Sequence, residues 1–383
     1  MTPGPTAFEA DAVQALAARW LACLGDDDFV CSPAGLWLAL AAVASGARGR
    51  TAGELRELLG VDGESAAGAV TAAGRRLGAT DGVALATGVW SRVPVLDAFR
   101  RGLPDVRFGA LPGAARLAPP GEVLGAADDL SPGEFPGASG ELDDWVREAT
   151  GGRIDGPPLG LDGSEDLVLL NVLALKASWR SAFPAHLTRD EPFTDGHGDT
   201  RSVPTMRKRI PASWVWYVDG VTVVELPCDG DEAARVRFAL GPEGAGPTEV
   251  LPAAWAGPAA RRRLPADAAD LGLPRFSLRT KSEVDGHLAA LGISRALRAG
   301  ADFSALSAVE LFISKVVQEV LVEVAEEGVE AAAVTQVAMS RSAAPSRREV
   351  VERISYDRPF GVVVLDASGE VPLFTGWRQS SRS

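Results

Sequence analysis

Residues 326–338 constrain this chain more than any other stretch. They read Glu326-Glu327-Gly328-Val329-Glu330-Ala331-Ala332-Ala333-Val334-Thr335-Gln336-Val337-Ala338. The odd positions Val329, Ala331, Ala333, Thr335, Val337 and Met339 are small or apolar, and the even positions are the more polar set. In a strand these two sets face opposite sides, so the odd face could enter a core without burying a charge. At Arg341 a charge falls on the odd face, and the alternation ends. Local propensity for Ala and Glu also allows a surface helix over 325–338. A segment that reads as a strand in a place suited to a loop has two homes. That points to a conformational switch rather than to a reaction centre.

The flanks sharpen this. Val316, Val320, Val322 and Val324 share one strand face, with Glu319, Leu321 and Glu323 on the other, which predicts a half-buried strand. Downstream, Ser342-Ala343-Ala344-Pro345-Ser346-Arg347-Arg348 reads as exposed loop.

The hinge-like block Glu326 to Ala333 resembles the reactive-loop hinge of serpins, the serine protease inhibitor family. Tyr356-Asp357-Arg358-Pro359-Phe360 and Phe374-Thr375-Gly376 are similar to that family's C-terminal signatures. Further blocks follow in the family's order. Ser32-Pro33 leads to Gly46-Ala47-Arg48-Gly49-Arg50-Thr51, and Asp144-Trp145-Val146 leads to Gly152-Arg153-Ile154. Asn171, Lys176, Trp179 and Phe183 keep a family spacing. Leu273-Pro274-Arg275-Phe276, Leu291-Gly292-Ile293 and Gly300-Ala301-Asp302-Phe303-Ser304 complete the set.

The resemblance implies an α+β serpin fold: one domain over 1–383, a large central mostly antiparallel sheet, two further sheets, about eight or nine helices and an exposed reactive loop near 326–349. It implies a suicide-substrate inhibitor. A serine protease attacks the loop, an acyl-enzyme forms, and the hinge side inserts into the main sheet as a new strand with the protease still attached. From Val329 to Arg341 that strand would span roughly 40 Å. Counting from Gly328 places the reactive residue at Ser342 and the one before it at Arg341. Arg341-Ser342 ranks first as the scissile bond, Ser342-Ala343 second and Arg347-Arg348 a distant third. The partner expected is therefore a trypsin-like protease first, and a subtilisin- or elastase-like one second. The runner-up is a non-inhibitory serpin acting as a binding or chaperone-like protein.

Departures from the family pattern fall at the shutter and breach, where Ser32, Asn171, Lys176, Trp179 and Gln318 are expected. Gln318 stands where the family usually has His, and Gly35 replaces a Ser. Gln318 keeps hydrogen-bonding capacity but does not titrate near neutrality. Ala177 and Ser178 precede Trp179 where the pattern has Gly and a variable residue. Residues 102–140 are Pro/Gly-rich and lack the expected helix–strand pattern.

Composition bounds the rest. The 383 residues carry a net charge of −13, which argues against nucleic acid or an anionic membrane as partner. Arg207-Lys208-Arg209 and Arg261-Arg262-Arg263 are the basic clusters, each read as a solvated turn. With no basic helix in view, no polyanion cofactor is expected, nor any other cofactor or metal. Lysine is scarce beside arginine, which fits a bacterial source. No signal peptide is visible at the N-terminus, and Cys23, Cys31 and Cys228 have no metal spacing, so a cytoplasmic location with reduced thiols is expected. A monomer is expected, with polymerisation by loop insertion as the family's hazard. No nucleophile elbow, metal-binding His pair or phosphate loop occurs, and His197 sits in a turn-like Asp195-Gly196-His197-Gly198-Asp199, so no enzyme activity is expected.

Overall fold

The computed structural model describes residues 7–61, 63–111, 138–152, 164–329 and 349–381. Strands are numbered along the chain. The main sheet runs β3 (Arg107–Ala110), β2 (Val83–Ser91), β4 (Leu167–Leu175), β14 (Ile313–Ala325), β15 (Gly328–Val329) and β5 (Ala177–Ser178), with β13 (Phe276–Glu283) also paired to β14. The second sheet runs β1 (Phe29–Cys31), β18 (Pro372–Arg378), β17 (Phe360–Leu365), β10 (Arg235–Leu240), β9 (Val221–Pro227), β8 (Val215–Val218) and β11 (Arg262–Arg263). The third runs β16 (Val351–Ser355), β12 (Ala268–Pro274), β7 (Thr200–Pro211) and β6 (Arg189–Thr194). Eight α-helices accompany them among the described residues: α1 (Ala7–Leu21), α2 (Pro33–Ala44), α3 (Gly49–Leu59), α4 (Gly63–Gly78), α5 (Asp97–Gly102), α6 (Ala138–Ala149), α7 (Pro247–Val250) and α8 (Asp285–Leu288). The α+β architecture with three sheets is the one expected.

The sequence explains the two central elements. Ser32 caps α2, its hydroxyl accepting from the Gly35 amide at 3.0 Å, and Pro33 fits the first helical position. Every residue of α2 is buried, as its all-round apolar sequence requires. β4 reads Leu-Val-Leu-Leu-Asn-Val-Leu-Ala-Leu and is buried throughout, the pattern of a strand covered on both faces. One face of the main sheet joins the large core around α2. The other meets α6, where Leu142 and Val146 pack on Val168, Leu170, Val172 and Val317, and Trp145 sets an edge against Trp90 at 6.2 Å.

β2 pairs with β4 antiparallel and β13 pairs with β14 antiparallel, but β4 and β14 pair parallel. Asn171 stands opposite Gln318 in that parallel seam.

Three expectations change. The strand over 316–324 is more than half-buried, because Glu319 on its second face has no exposed surface. Arg279 reaches it at 2.6 Å and Lys281 at 3.6 Å from β13. Arg207, Lys208 and Arg209 are not a turn: they lie inside β7, between buried Met206 and Ile210. Nor is 261–263 a free turn, since Arg262 and Arg263 pair with Tyr217 and Trp216, and Arg261 stacks over Trp216 at 4.6 Å. In the Pro/Gly-rich 102–140 stretch, β3 forms over Arg107–Ala110, and residues 112–137 lie outside the described set. No helix among the described residues is long and apolar enough to cross a membrane.

Candidate functional site

The hinge is built as a tight hairpin. β14 ends at Ala325, Glu326 and Glu327 turn, and β15 returns with Val329 opposite Val324 and Gly328 opposite Ala325. β15 also pairs with β5, Gly328 opposite Ser178 and Val329 opposite Ala177. Since β13 holds one edge of β14, β15 occupies the same edge as β4. Val329 is fully buried there. Gly328 is required by close approach: a Cβ would lie 2.1 Å from the Ala177 carbonyl oxygen.

The Asn171–Phe183 block supplies the grip. Trp179 Nε1 donates to the Ala325 carbonyl at 2.9 Å, the Trp179 amide donates to the Glu327 carbonyl at 2.9 Å, and the Phe183 amide donates to the Glu326 carbonyl at 2.7 Å. The Glu326 carboxylate is held by Arg275 and accepts from the Thr188 hydroxyl at 2.7 Å. Burial works against ionisation here, but the hydrogen bonds from Arg275 and Thr188 outweigh it and keep the Glu326 carboxyl below its usual range. Arg275 and Thr188 were not singled out in the sequence. Arg275 sits in the Leu273–Phe276 block, whose position just before β13 was the available signal. Lys176, expected in this group, is exposed and contributes its amide to the Gly82 carbonyl at 2.8 Å.

Farther down the seam the expected shutter residues do converge. Gln318 Oε1 accepts from the Ser32 amide at 2.6 Å, and its Nε2 donates to the Ser32 carbonyl at 3.0 Å. The Ser32 hydroxyl donates to the Leu373 carbonyl at 2.6 Å. The Gln side chain thus ties the seam to the cap of α2 by both of its polar atoms, accepting at one and donating at the other. Asn171 donates to Thr87 Oγ1 at 3.1 Å, while its Oδ1 is buried with no hydrogen-bond partner. That oxygen points at Gly35, where a Cβ would come within 1.8 Å. The Gly35 departure is therefore the space that Asn171 occupies.

Other family blocks meet across the fold. The Arg48 amide donates to the Asp302 carbonyl at 2.8 Å, and the Asp302 amide donates to Thr51 Oγ1 at 2.9 Å. Tyr356 donates from its hydroxyl to the Phe238 carbonyl at 2.9 Å and packs edge-on to Phe360. Cys31 and Cys228 are buried, and burial pushes both thiols up to about 12. Among the described residues no group of three metal-ligating side chains occurs. Glu330, Ala331, Ala332, Ala333, Arg341, Ser342, Ala343, Arg347 and Arg348 lie outside the described residues.

Comparison with known proteins adds the family. A model described as serpin, serine protease inhibitor, matches residues 131–379. Leukocyte elastase inhibitor of Sus scrofa is 33% identical over 211 residues, covering 51% of this chain and 54% of its own length. The chain thus spans about half the length of that relative. Plasminogen activator inhibitor 1 of Neovison vison is 34% identical over 254 residues, 61% of this chain and 60% of its own. Putative serpin-Z12 of Oryza sativa subsp. japonica is 30% identical over 373 residues, 91% of this chain and 84% of its own. These relatives do not bear out the bacterial source. Tengpin, a thermophilic serpin in its native state, superposes with a TM-score of 0.79 at 20% identity, covering 99% of this chain and 95% of its own. Human thyroxine-binding globulin does so with a TM-score of 0.77 at 20% identity, covering 98% and 99%. The family model covers more than half of the chain and the rice relative nine-tenths of it, so the chain belongs to the serpin family.

Proposed function

We propose that this serpin is a single-domain suicide-substrate inhibitor of a serine protease, in which the cleaved reactive segment enters the seam between β4 and β14. The register carries this reading. β15 already pairs with both β14 and β5 as the first two residues of such a strand. Extending its two registers residue by residue puts Thr335 opposite Gln318 on one side and opposite Asn171 on the other. Those two residues are themselves register partners, so both edges agree. Directly opposed residues share a face, so the Thr335 hydroxyl, the one polar group on the inserting face, would meet the unpartnered Asn171 Oδ1. The same extension brings Met339 opposite Leu167, the first residue of β4. Alternation in the sequence and the seam in the sheet end together, about 33 Å from Val329 at ~3.3 Å per residue.

The bond attacked would follow directly, with Arg341-Ser342 ranked above Ser342-Ala343 and Arg347-Arg348. A trypsin-like protease suits Arg341, and a subtilisin- or elastase-like one suits Ser342. Trapping follows from geometry. A displacement of about 1 Å in a catalytic array can cost ~100-fold in rate, and dragging the acylated protease along the sheet disturbs it far more. A second reading, cleavage without trapping, is favoured by Gln318 and Gly35 at the seam. Incubation with trypsin, a subtilisin and an elastase separates the two. An SDS-stable band at the summed mass, with the fragment mass fixing the bond, supports inhibition. Clean cleavage between Ala338 and Glu349 without a complex supports the alternative.

A further inference from the structure

The third sheet turns one face to solvent beside the point where the chain resumes as β16, and register determines what that face carries. Arg353 of β16 stands opposite Asp270 of β12, which stands opposite Arg209 of β7. Arg207 lies two residues along, and Arg189 of β6 is opposite Thr205 on the same face. Of the next strand positions, Ile210, Leu271 and Ile354 are buried, while Lys208 is partly exposed and reaches over the Phe183 and Trp214 rings. Together His186, Arg189, Arg207, Arg209, Asp270 and Arg353 line a cleft of about 480 Å³.

The charges do not cancel. Glu191 serves both Arg207 and Arg189, and Glu349 pairs with Arg209. Arg353 is exposed and makes no ion pair among the described residues. Four guanidinium groups thus face three carboxylates, a local positive excess on a chain of net charge −13. Apolar groups sit beside them. Of five large apolar side chains exposed among the described residues, three flank this face: Leu187 at 44%, Val350 at 56% and Val351 at 36%. Val351 shares its strand face with Arg353.

We propose that this face is a secondary docking surface for the target protease, selecting enzymes that present a carboxylate-bearing loop with an apolar neighbour beside their active-site cleft. The proposal rests on the inhibitor reading above. The bond ranked first ends nine residues before Val351, so a protease seated there is at most about 30 Å of extended chain from this face. Planar guanidinium forks match carboxylates with two hydrogen bonds, which gives orientation as well as attraction. Charge at the rim of an encounter acts mainly on the association rate and fades with salt.

The test uses the full chain with an anionic and a cationic trypsin, at low and high ionic strength, comparing the protein with Arg353→Glu and with Arg209→Glu/Arg353→Glu. Arg353 is an exposed strand position, and unchanged thermal unfolding checks the variants. The expected result with anionic trypsin is a fall in the second-order rate of about tenfold at low salt that vanishes at high salt. With cationic trypsin the rate should rise, and the yield of covalent complex per attack should stay the same in both. Equal effects on the two trypsins, or none, would overturn the docking surface. So would a sulfated polysaccharide that accelerates the reaction only while Arg353 is intact, since the face would then belong to a polyanion. Binding of anionic trypsin with its serine replaced by alanine separates this from the parent reading. Salt-sensitive binding lost in Arg353→Glu, without any covalent complex from the active enzyme, keeps the face and removes the inhibitor. Complex formation without such binding removes the face alone.

Discussion

At the level of single residues, Gly35 and Gln318 are linked through Asn171 and Ser32. A side chain at 35 must displace the Asn171 carboxamide, whose Oδ1 lies where the Cβ would be. Gly35→Ser should therefore lower stability by about 1–3 kcal/mol, as overpacking of a closed core does. Asn171→Ala in the same chain should recover a large part of that loss, which a double-mutant cycle in urea would measure. Gln318→His introduces a buried imidazole against the Ser32 backbone. Burial disfavours its charged form and depresses its folded pKa. Stability would then be complete above the unfolded value of about 6.5 and lost as the pH falls below it. The unmodified protein should show no such slope between pH 5 and 7 arising from this position. These details explain what was legible. The sequence marked 35 and 318 as departures but could not show that one accommodates Asn171 while the other grips Ser32 twice. Side-chain direction across a seam between distant strands is not written in local pattern.

Among the elements, the β14–β15 hairpin is where the proposed insertion would begin. Val329 is already buried between Val324 and Ala177 before any cleavage, so insertion must newly bury the positions beyond it. Ala331→Arg would bury an unpaired charge at the next position on the inserting face. A cost of about 2 kcal/mol or more on insertion slows it by more than roughly tenfold. The chain should then be cleaved faster than it traps. Ala331→Pro should act alike, by removing a ladder donor. Gel densitometry of complex against cleaved product checks both. Glu326 gives the hinge a pH dependence of known sign. Its carboxyl is held below the usual range, so its contribution is present above the unfolded value near pH 4.3 and lost as pH falls through the folded value. Hydrogen exchange at residues 325–329 should accelerate on acidification in that window. In Arg275→Ala it should already be faster at neutral pH, with a smaller acid effect. β14 and the hinge were readable because alternation survives in an apolar strand. β7 was misread because three consecutive basic residues mask the Met206, Lys208, Ile210 periodicity that places it in a sheet.

For the molecule as a whole, the order of the family blocks anticipated three sheets, since blocks meet as packing contacts: Thr51 with Asp302, Tyr356 with Phe360, Trp179 with the hinge. What it could not supply was strand direction. β4 and β14 run the same way, while β2 and β13 on their outer sides run against them. Outward from the seam the order alternates, β4 to β2 and β14 to β13, and it breaks on the line between β4 and β14; a second parallel pair, β2 with β3, lies at the sheet's edge. Such a line is a stacking fault with a polarity. Only a strand running opposite to both neighbours would remove it, and the segment proposed above to insert would be one. The fault does not distinguish whose strand heals it. On the proposed reading a free peptide with the sequence of 329–339, or the same segment from another copy, would meet the same seam, so trapping and aggregation would share one geometric origin.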